Sequence, residues 1–267
     1  MMQNQNDFQR LWAHSWFRDF IYLAAVIAIW QILYGLRLFP AMLFPSMWDI
    51  LKTLLDETLS GSMISKTVFS LKLILIGMGA AVVLAVILTT AAMFSKTVMD
   101  LVSTLIAVLD PLPGIAILPV AILVFGLGED AIVFVMIHSI IWPMLLNITG
   151  GFKSVPAIYT DVGRNIGLRR FRLLWGVYIP ASVPNILAGF KTGWSRAWRA
   201  FISAEMVFGA SGSSGGLGWD IYMKKAYLDM DGMYATLIVI MLIGILIEKG
   251  VFRTIENGTV KKWGMVA

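Results

Sequence analysis

What most limits this chain is the recurrence of apolar stretches about as long as a bilayer is thick. Near residues 19–36, 68–92, 99–126, 131–150, 185–208 and 233–252 the sequence runs on with few charges. A helix of about 20 such residues crosses roughly 30 Å of hydrocarbon. Only helices and closed barrels satisfy their own backbone polar groups there, and apolar runs of this length read as helices. The composition agrees. With 58% hydrophobic and 14% charged residues, against roughly 45–50% and 25% in an ordinary soluble domain, the chain has too few charges to cover a water-facing surface. The fold class expected is an all-α integral membrane protein with about six transmembrane helices. No small-residue cleavage site of the A-x-A kind follows the first run, so it is expected to be a retained helix and not a signal peptide.

Between the spans the character changes. Residues 1–18 are polar and mixed in charge, a short tail with an interfacial turn around Trp12 and Trp16. After Pro40 and Pro45, the stretch Trp48-Asp-Ile-Leu-Lys-Thr-Leu-Leu-Asp-Glu57 repeats its apolar residues at helical spacing, which predicts a surface helix outside the bilayer. The second span holds Gly77, Gly79, Ala80, Ala81 and Ala85, small enough for helices to approach closely. Asp110-Pro-Leu-Pro-Gly114 interrupts the third span. Proline removes a backbone donor, so this break should face protein or a water-filled cavity and not lipid. The fifth span is unusually polar, with Lys191, Arg196, Arg199 and Glu205. A glycine- and serine-rich loop at 209–218, expected to be a mouth loop outside the membrane, and a short amphipathic helix precede the sixth span; residues 256–267 form a basic tail.

The net charge of +5 would suit nucleic acid only if the basic residues formed one face of a soluble module; here they lie between apolar runs. Membrane topology explains them better, because lysine and arginine stay on the cytoplasmic side. With the N-terminus inside, cytoplasmic segments hold 12 of the 21 basic residues and the opposite side 5, the other 4 lying within spans. Both termini are therefore expected in the cytoplasm. Cysteine is absent and the histidines are two, His14 and His138, which removes thiol chemistry and leaves little material for a metal centre. The glycine-rich loop lacks the Gly-Lys-Ser/Thr ending of a nucleotide-binding loop. No serine–histidine–acid or paired-carboxylate arrangement occurs at usable spacing, and no cofactor is expected in this chain.

The most informative segment, residues 153–180, lies between the fourth and fifth spans. A helix can start after Pro156, stop at Gly167 in a left-handed cap, and give way to a second, basic helix before Ile179-Pro180. Such an elbow is rigid enough to transmit force to a partner.

At this elbow the chain resembles the permease subunits of ABC importers, whose cytoplasmic loop reads Glu-Ala-Ala, three residues, Gly, about nine residues and Ile/Leu-Pro. Asp161, Val162 and Gly163 stand in the first three places, a departure at each that keeps an acid and a small residue; Gly167 and Ile179-Pro180 fit the rest. The resemblance runs from about residue 43 to 263. Phe44-Pro-Ser46, Asp110-Pro-Leu-Pro113, Leu118-Pro119, Phe125-Gly-Leu-Gly-Glu129, Ala197-Trp198, Ala204-Glu-Met206 and Gly216-Leu-Gly218 support it. It narrows to importers of nitrate, aliphatic sulfonates, taurine, bicarbonate and similar small anions.

The resemblance implies a type I ABC importer permease fold, with residues 19–255 as the transmembrane domain and the elbow as its coupling helix. Asp161, Val162, Gly163, Gly167, Leu168 and Arg169 would then dock in a groove of an ATP-hydrolysing subunit. The partners implied are a second permease copy in a homodimer, two cytoplasmic subunits that bind ATP and Mg, and an extracytoplasmic solute-binding protein at the bacterial inner membrane. The chain itself would be no enzyme.

For the translocation path the candidates are Arg196, Trp198, Arg199 and Glu205. Arg196 and Arg199 share one helix face, and charge inside a span is costly enough to mark a polar pathway for an anion; the alternative is that both sit at the cytoplasmic interface. Glu205 either gates against a basic residue or fixes helix packing. His138 is expected to be a satisfied interhelical hydrogen bonder. A competing class, an ion-gradient-driven secondary transporter or channel, calls for mid-membrane acids and inverted repeats, and the sequence offers only Glu205 and no repeat.

Overall fold

A short connection and a tight left-handed turn at Gly61, φ +79°, are all that separate the first long helices. The computed structural model describes residues 15–40, 42–208 and 215–264, so the tail around Trp12 and the loop 209–214 lie outside the described residues. Helix α1 spans Ser15–Gly35, α2 Met47–Leu59 and α3 Ser62–Phe94. Ser46 caps α2, its hydroxyl accepting from the Asp49 amide, so the amphipathic stretch becomes a helix at the place its periodicity predicts. At 33 residues and about 1.5 Å per residue, α3 is longer than a bilayer needs. The expected second span began at residue 68, six residues late, because hydropathy marks where lipid starts and not where the helix does.

Helix α4, Lys96–Leu109, ends at the proline break; a 3-10 turn, Gly114–Ile117, leads into α5, Leu118–Phe125. The two helices meet at 93°, so the third span is a sharply bent pair and not one interrupted rod. Pro111 and Pro113 remove two donors within three residues, and the chain turns there. Helix α6 covers Glu129–Lys153, α7 Ala157–Asn165, α8 Phe171–Ala181 and α9 Val183–Phe208. Helices α8 and α9 meet at 71°. Here α8 passes through Pro180 and ends at Ala181, beyond the stop expected before Ile179-Pro180. A π turn over Leu174–Tyr178 widens the helix just ahead of the proline, which relieves the clash that the ring would make with the preceding turn. Helices α10, Leu217–Ala226, and α11, Met230–Gly258, complete the chain, and no strand occurs among the described residues.

Among the described residues four helices, α1, α3, α6 and α11, are long and apolar enough to cross a membrane, and the total is six when each bent pair is counted as one span. Helices α3, α6 and α9 hold the core: Ile74, Ala81 and Ala85, then Val135, Met136 and Ile140, then Ala197, Phe201 and Ala204 are all fully buried. Glycines set the closeness of this packing. A Cβ at Gly77 would lie 3.0 Å from Met136, and one at Gly193 3.0 Å from Ile140, so dispersion between backbones and side chains replaces the hydrophobic effect that lipid does not supply. By contrast α1 keeps its apolar side chains exposed. It is tied back through Trp30, which donates to the Pro45 carbonyl at 3.0 Å and stacks on Phe44.

Candidate functional site

The α4–α5 break, α6 and α9 enclose a cavity of about 460 Å³. The break fits closely: a Cβ on Gly114 would collide with the Ser139 hydroxyl on α6. From α9, Arg196, Arg199, Ala200 and Ser203 line the cavity at the spacing of one helix face. The two arginines differ in their partners. Arg196 binds the Asp110 carboxylate at 2.5 Å and also reaches the Asp110 carbonyl, so the acid beside the proline break neutralises it. Arg199 donates its Nε to the Ser195 carbonyl at 3.1 Å and has no acidic partner among the described residues. Both stand near the middle of the 26-residue α9.

His138 and Trp142, one turn apart on α6, line the same cavity with their rings 6.0 Å apart, edge to face. Both histidine ring nitrogens and the Trp142 Nε1 are shut off from solvent, and none has a hydrogen-bond partner among the described residues. His138 is thus not the satisfied interhelical bonder the sequence suggests.

The other two pathway candidates stand elsewhere. Trp198 is buried against Trp194, rings stacked 5.9 Å apart, and lines a second cavity of about 450 Å³ with Lys191, Gly244, Glu248 and Phe252. Glu205 points to the far end of the bundle and caps α10: its carboxylate accepts from the Gly216 amide at 2.8 Å and the Gly218 amide at 2.9 Å. Ser70 of α3 accepts from the Leu217 amide at 2.9 Å, so three N–H groups at one helix start are satisfied by two other helices. The glycines are required by space: a Cβ on Gly216 would overlap the carboxylate, and one on Gly218 would lie 2.5 Å from the Ile202 carbonyl.

At the same end lies a polar cluster that sequence reasoning missed. Asp220 and Lys224 of α10, both buried, join Lys66 of α3, Glu57 of α2 and Thr236 of α11, with Lys224–Glu57 at 2.6 Å and Lys224–Asp220 at 2.9 Å. Burial alone pushes the Asp220 carboxyl up, but hydrogen bonds from Lys224, Lys66 and Thr236 outweigh it and hold it below the usual aspartate range. Only the Asp220–Lys224 spacing of four residues hints at it in sequence, since the partners come from far along the chain.

The elbow end is built differently. Helix α7 starts after Pro156 and closes at Gly167, φ +87°, where the Leu168 amide donates to the Gly163 carbonyl at 2.9 Å and the Gly167 amide to the Arg164 carbonyl at 3.0 Å. This is a Schellman closure, which needs a residue tolerant of the left-handed region. Gly163 is buried because α8 rests on it: a Cβ there would lie 2.8 Å from Leu173 and 3.1 Å from Val177. On its outer side α7 presents Ile158, Tyr159, Val162 and Ile166, all more than half exposed. Asp161 and Arg164 form an exposed pair at 3.7 Å, and Arg169 is exposed as well. Of the six elbow residues singled out in the sequence, Gly163 and Gly167 shape the elbow while Asp161, Val162 and Arg169 face outward.

The family described as binding-protein-dependent transport system inner membrane component matches residues 77–260 of this sequence. The chain belongs to that family. It is 31% identical over 238 residues, 88% of this chain and 87% of the other, to a Methanocaldococcus jannaschii protein provisionally named as an ABC transporter permease. It is 27% identical over 233 residues, 85% and 83% of the two chains, to the taurine transport system permease protein of Escherichia coli. A nitrate import permease protein of Synechocystis is 27% identical over 253 residues, 92% and 90% of the two chains. As a transport-system membrane component of several apolar helices, this protein is a multi-pass membrane protein whose family is one of transport and not catalysis.

Proposed function

We propose that this transport component forms the translocation path of an ATP-driven importer for small anionic solutes, pairs with a second copy of itself, and is driven through the α7–α8 elbow by two separate ATP-hydrolysing subunits. The observation that carries the reading is the similarity, over 85% and 92% of the chain, to components named for taurine and nitrate transport. The cavity supports it: its one uncompensated charge is a cation, Arg199, and a cation beside a membrane path lowers the barrier for an anion. The elbow supports the drive, since an exposed, apolar, rigidly capped helix between two spans is a handle for a partner subunit. In this reading the elbow faces the cytoplasm, both termini share that side, ATP and Mg are held by the partner, and a binding protein delivers solute to the far end. Closure of the ATPase pair would push the elbows, tilt the spans and open the path outward.

The test is reconstitution into liposomes with the partner ATPase and binding protein. ATP-dependent uptake of taurine or nitrate that survives collapse of ion gradients is the expected result. A cysteine placed at Arg169 should cross-link to the ATPase. Uptake that needs an ion gradient and no ATP, or cross-links that never reach a nucleotide hydrolase, would sink the proposal.

A further inference from the structure

Helix α8 carries charge that no other described part of the chain uses. Arg170 and Arg172 are exposed and form no ion pair among the described residues. Phe171 and Trp175, both more than half exposed, share the outer side of the helix with Arg172, while Leu173 and Leu174 are buried on the other. Exposed rings among arginines suit neither bulk water nor hydrocarbon. They suit the boundary between them, where rings enter the acyl edge and guanidinium groups reach phosphate. The geometry puts α8 there. Helix α9 has 26 residues, enough at about 1.5 Å each to cross the bilayer alone, and α8 meets it at 71°, so with α9 upright α8 lies nearly in the membrane plane. The Phe171 ring packs on Phe94 at the end of α3, centroids 4.7 Å apart, which holds α8 level with the end of a second span. Arg170 supplies an independent sign. Its backbone stands at φ +45°, ψ −115°, at the second position of a tight turn that the Arg172 amide closes on the Arg169 carbonyl at 3.0 Å. That conformation belongs to glycine; an arginine kept there is strained, and such strain clusters at sites of function.

We infer that the outer side of α8 is a docking surface for anionic phospholipid headgroups, with Arg170 and Arg172 on the phosphate and Phe171 and Trp175 at the acyl boundary. Charge selects this occupant. From residue 153 to 181 the basic residues are Lys153, Arg164, Arg169, Arg170 and Arg172, and Asp161 is the one acid; Arg164 pairs with it at 3.7 Å. A guanidinium fork matches two phosphate oxygens, and basic residues beside an anionic leaflet are drawn to it. The elbow is then shared: α7 keeps its apolar outer side for a partner subunit, and α8 rests on lipid. The inference needs only that the chain lies in a membrane, and it is independent of the solute carried and of the motor that drives it.

The experiment titrates the full-length protein in neutral detergent, by calorimetry, with dihexanoylphosphatidylglycerol, with dihexanoylphosphatidylcholine and with inorganic phosphate. The wild type should bind the anionic lipid at least about fivefold more tightly than the zwitterionic one, a preference that weakens as salt rises. Arg172→Gln should lower the anionic-lipid affinity about fivefold, the loss of one cation near a charged surface. Arg170→Gly is the sharper variant, because glycine accepts the backbone at φ +45°: it should melt no lower than the wild type and yet lose about fivefold in the same affinity. Misfolding cannot produce that combination. Equal wild-type affinity for the two lipids, or unchanged anionic-lipid binding in either variant, overturns the inference. Inorganic phosphate that displaces the lipid at equal concentration overturns it as well, since the site then takes a free anion. So does an Arg170→Gly variant that keeps its lipid but loses a copurified ATPase subunit, because the arginine then serves that partner.

Discussion

Glu205 offers the clearest way to separate a packing role from a pathway role. In Glu205→Ala the Gly216 and Gly218 amides, 2.8 and 2.9 Å from the carboxylate, lose their acceptors inside the protein. Hydrogen bonds to a charged group are worth about 1.5–3 kcal/mol each, so the variant should lose roughly 3–6 kcal/mol. Glu205→Gln keeps one carbonyl acceptor but turns an amide N–H toward the other donor, and should lose about half as much. At roughly 2–4 °C per kcal/mol for a chain of this size, Glu205→Ala should melt roughly 6–24 °C below the wild type in detergent. Hydrogen exchange sharpens the assay, because the amides of 216–218 should lose protection while those in the α3, α6 and α9 core keep theirs. An Ala variant that melts with the wild type and keeps those amides protected would refute the capping argument, and a Gln variant worse than Ala would refute its hydrogen-bond accounting.

Three further outcomes follow from particular contacts. Gly163→Ala should be nearly silent, since the nearest atom is the mobile end of Leu173 at 2.8 Å, whereas Gly163→Leu should lift α7 off α8 and cut ATP-dependent uptake at least about tenfold without lowering membrane insertion. Gly167→Val forces a β-branched residue to φ +87° and should cost about 1–2 kcal/mol, read as increased proteolysis at the elbow. The Asp220 carboxyl is held below its ordinary range, so its contribution to stability is complete above that range and disappears as pH falls through the lowered value. Thermal stability of the wild type should therefore resist mild acid and drop only in strong acid, while Asp220→Asn should flatten that drop and be less stable at neutral pH.

Much of the bundle was legible because lipid imposes a simple rule. A helix that crosses hydrocarbon must be long and apolar, so α1, α3, α6 and α11 announce themselves, and Ser46, Gly167 and the prolines around Asp110 mark ends and breaks by their own backbone chemistry. The pathway candidates face different surroundings for a physical reason. Arg196 and Arg199 lie three residues apart, so one helix face brings both to the cavity, but the same periodicity turns Trp198 toward α11 and Glu205 toward α10.

The sequence by itself determined that this chain lies in a membrane, where its spans fall and where an elbow interrupts them, because length, hydropathy and the conformations open to glycine and proline are local properties. Tertiary structure alone decided which charges are spent. Asp110 silences Arg196 across 86 residues of chain, and Lys66 meets Asp220 across 154. Partnership at a few ångströms depends on how bent helices cross, and no local pattern encodes that crossing.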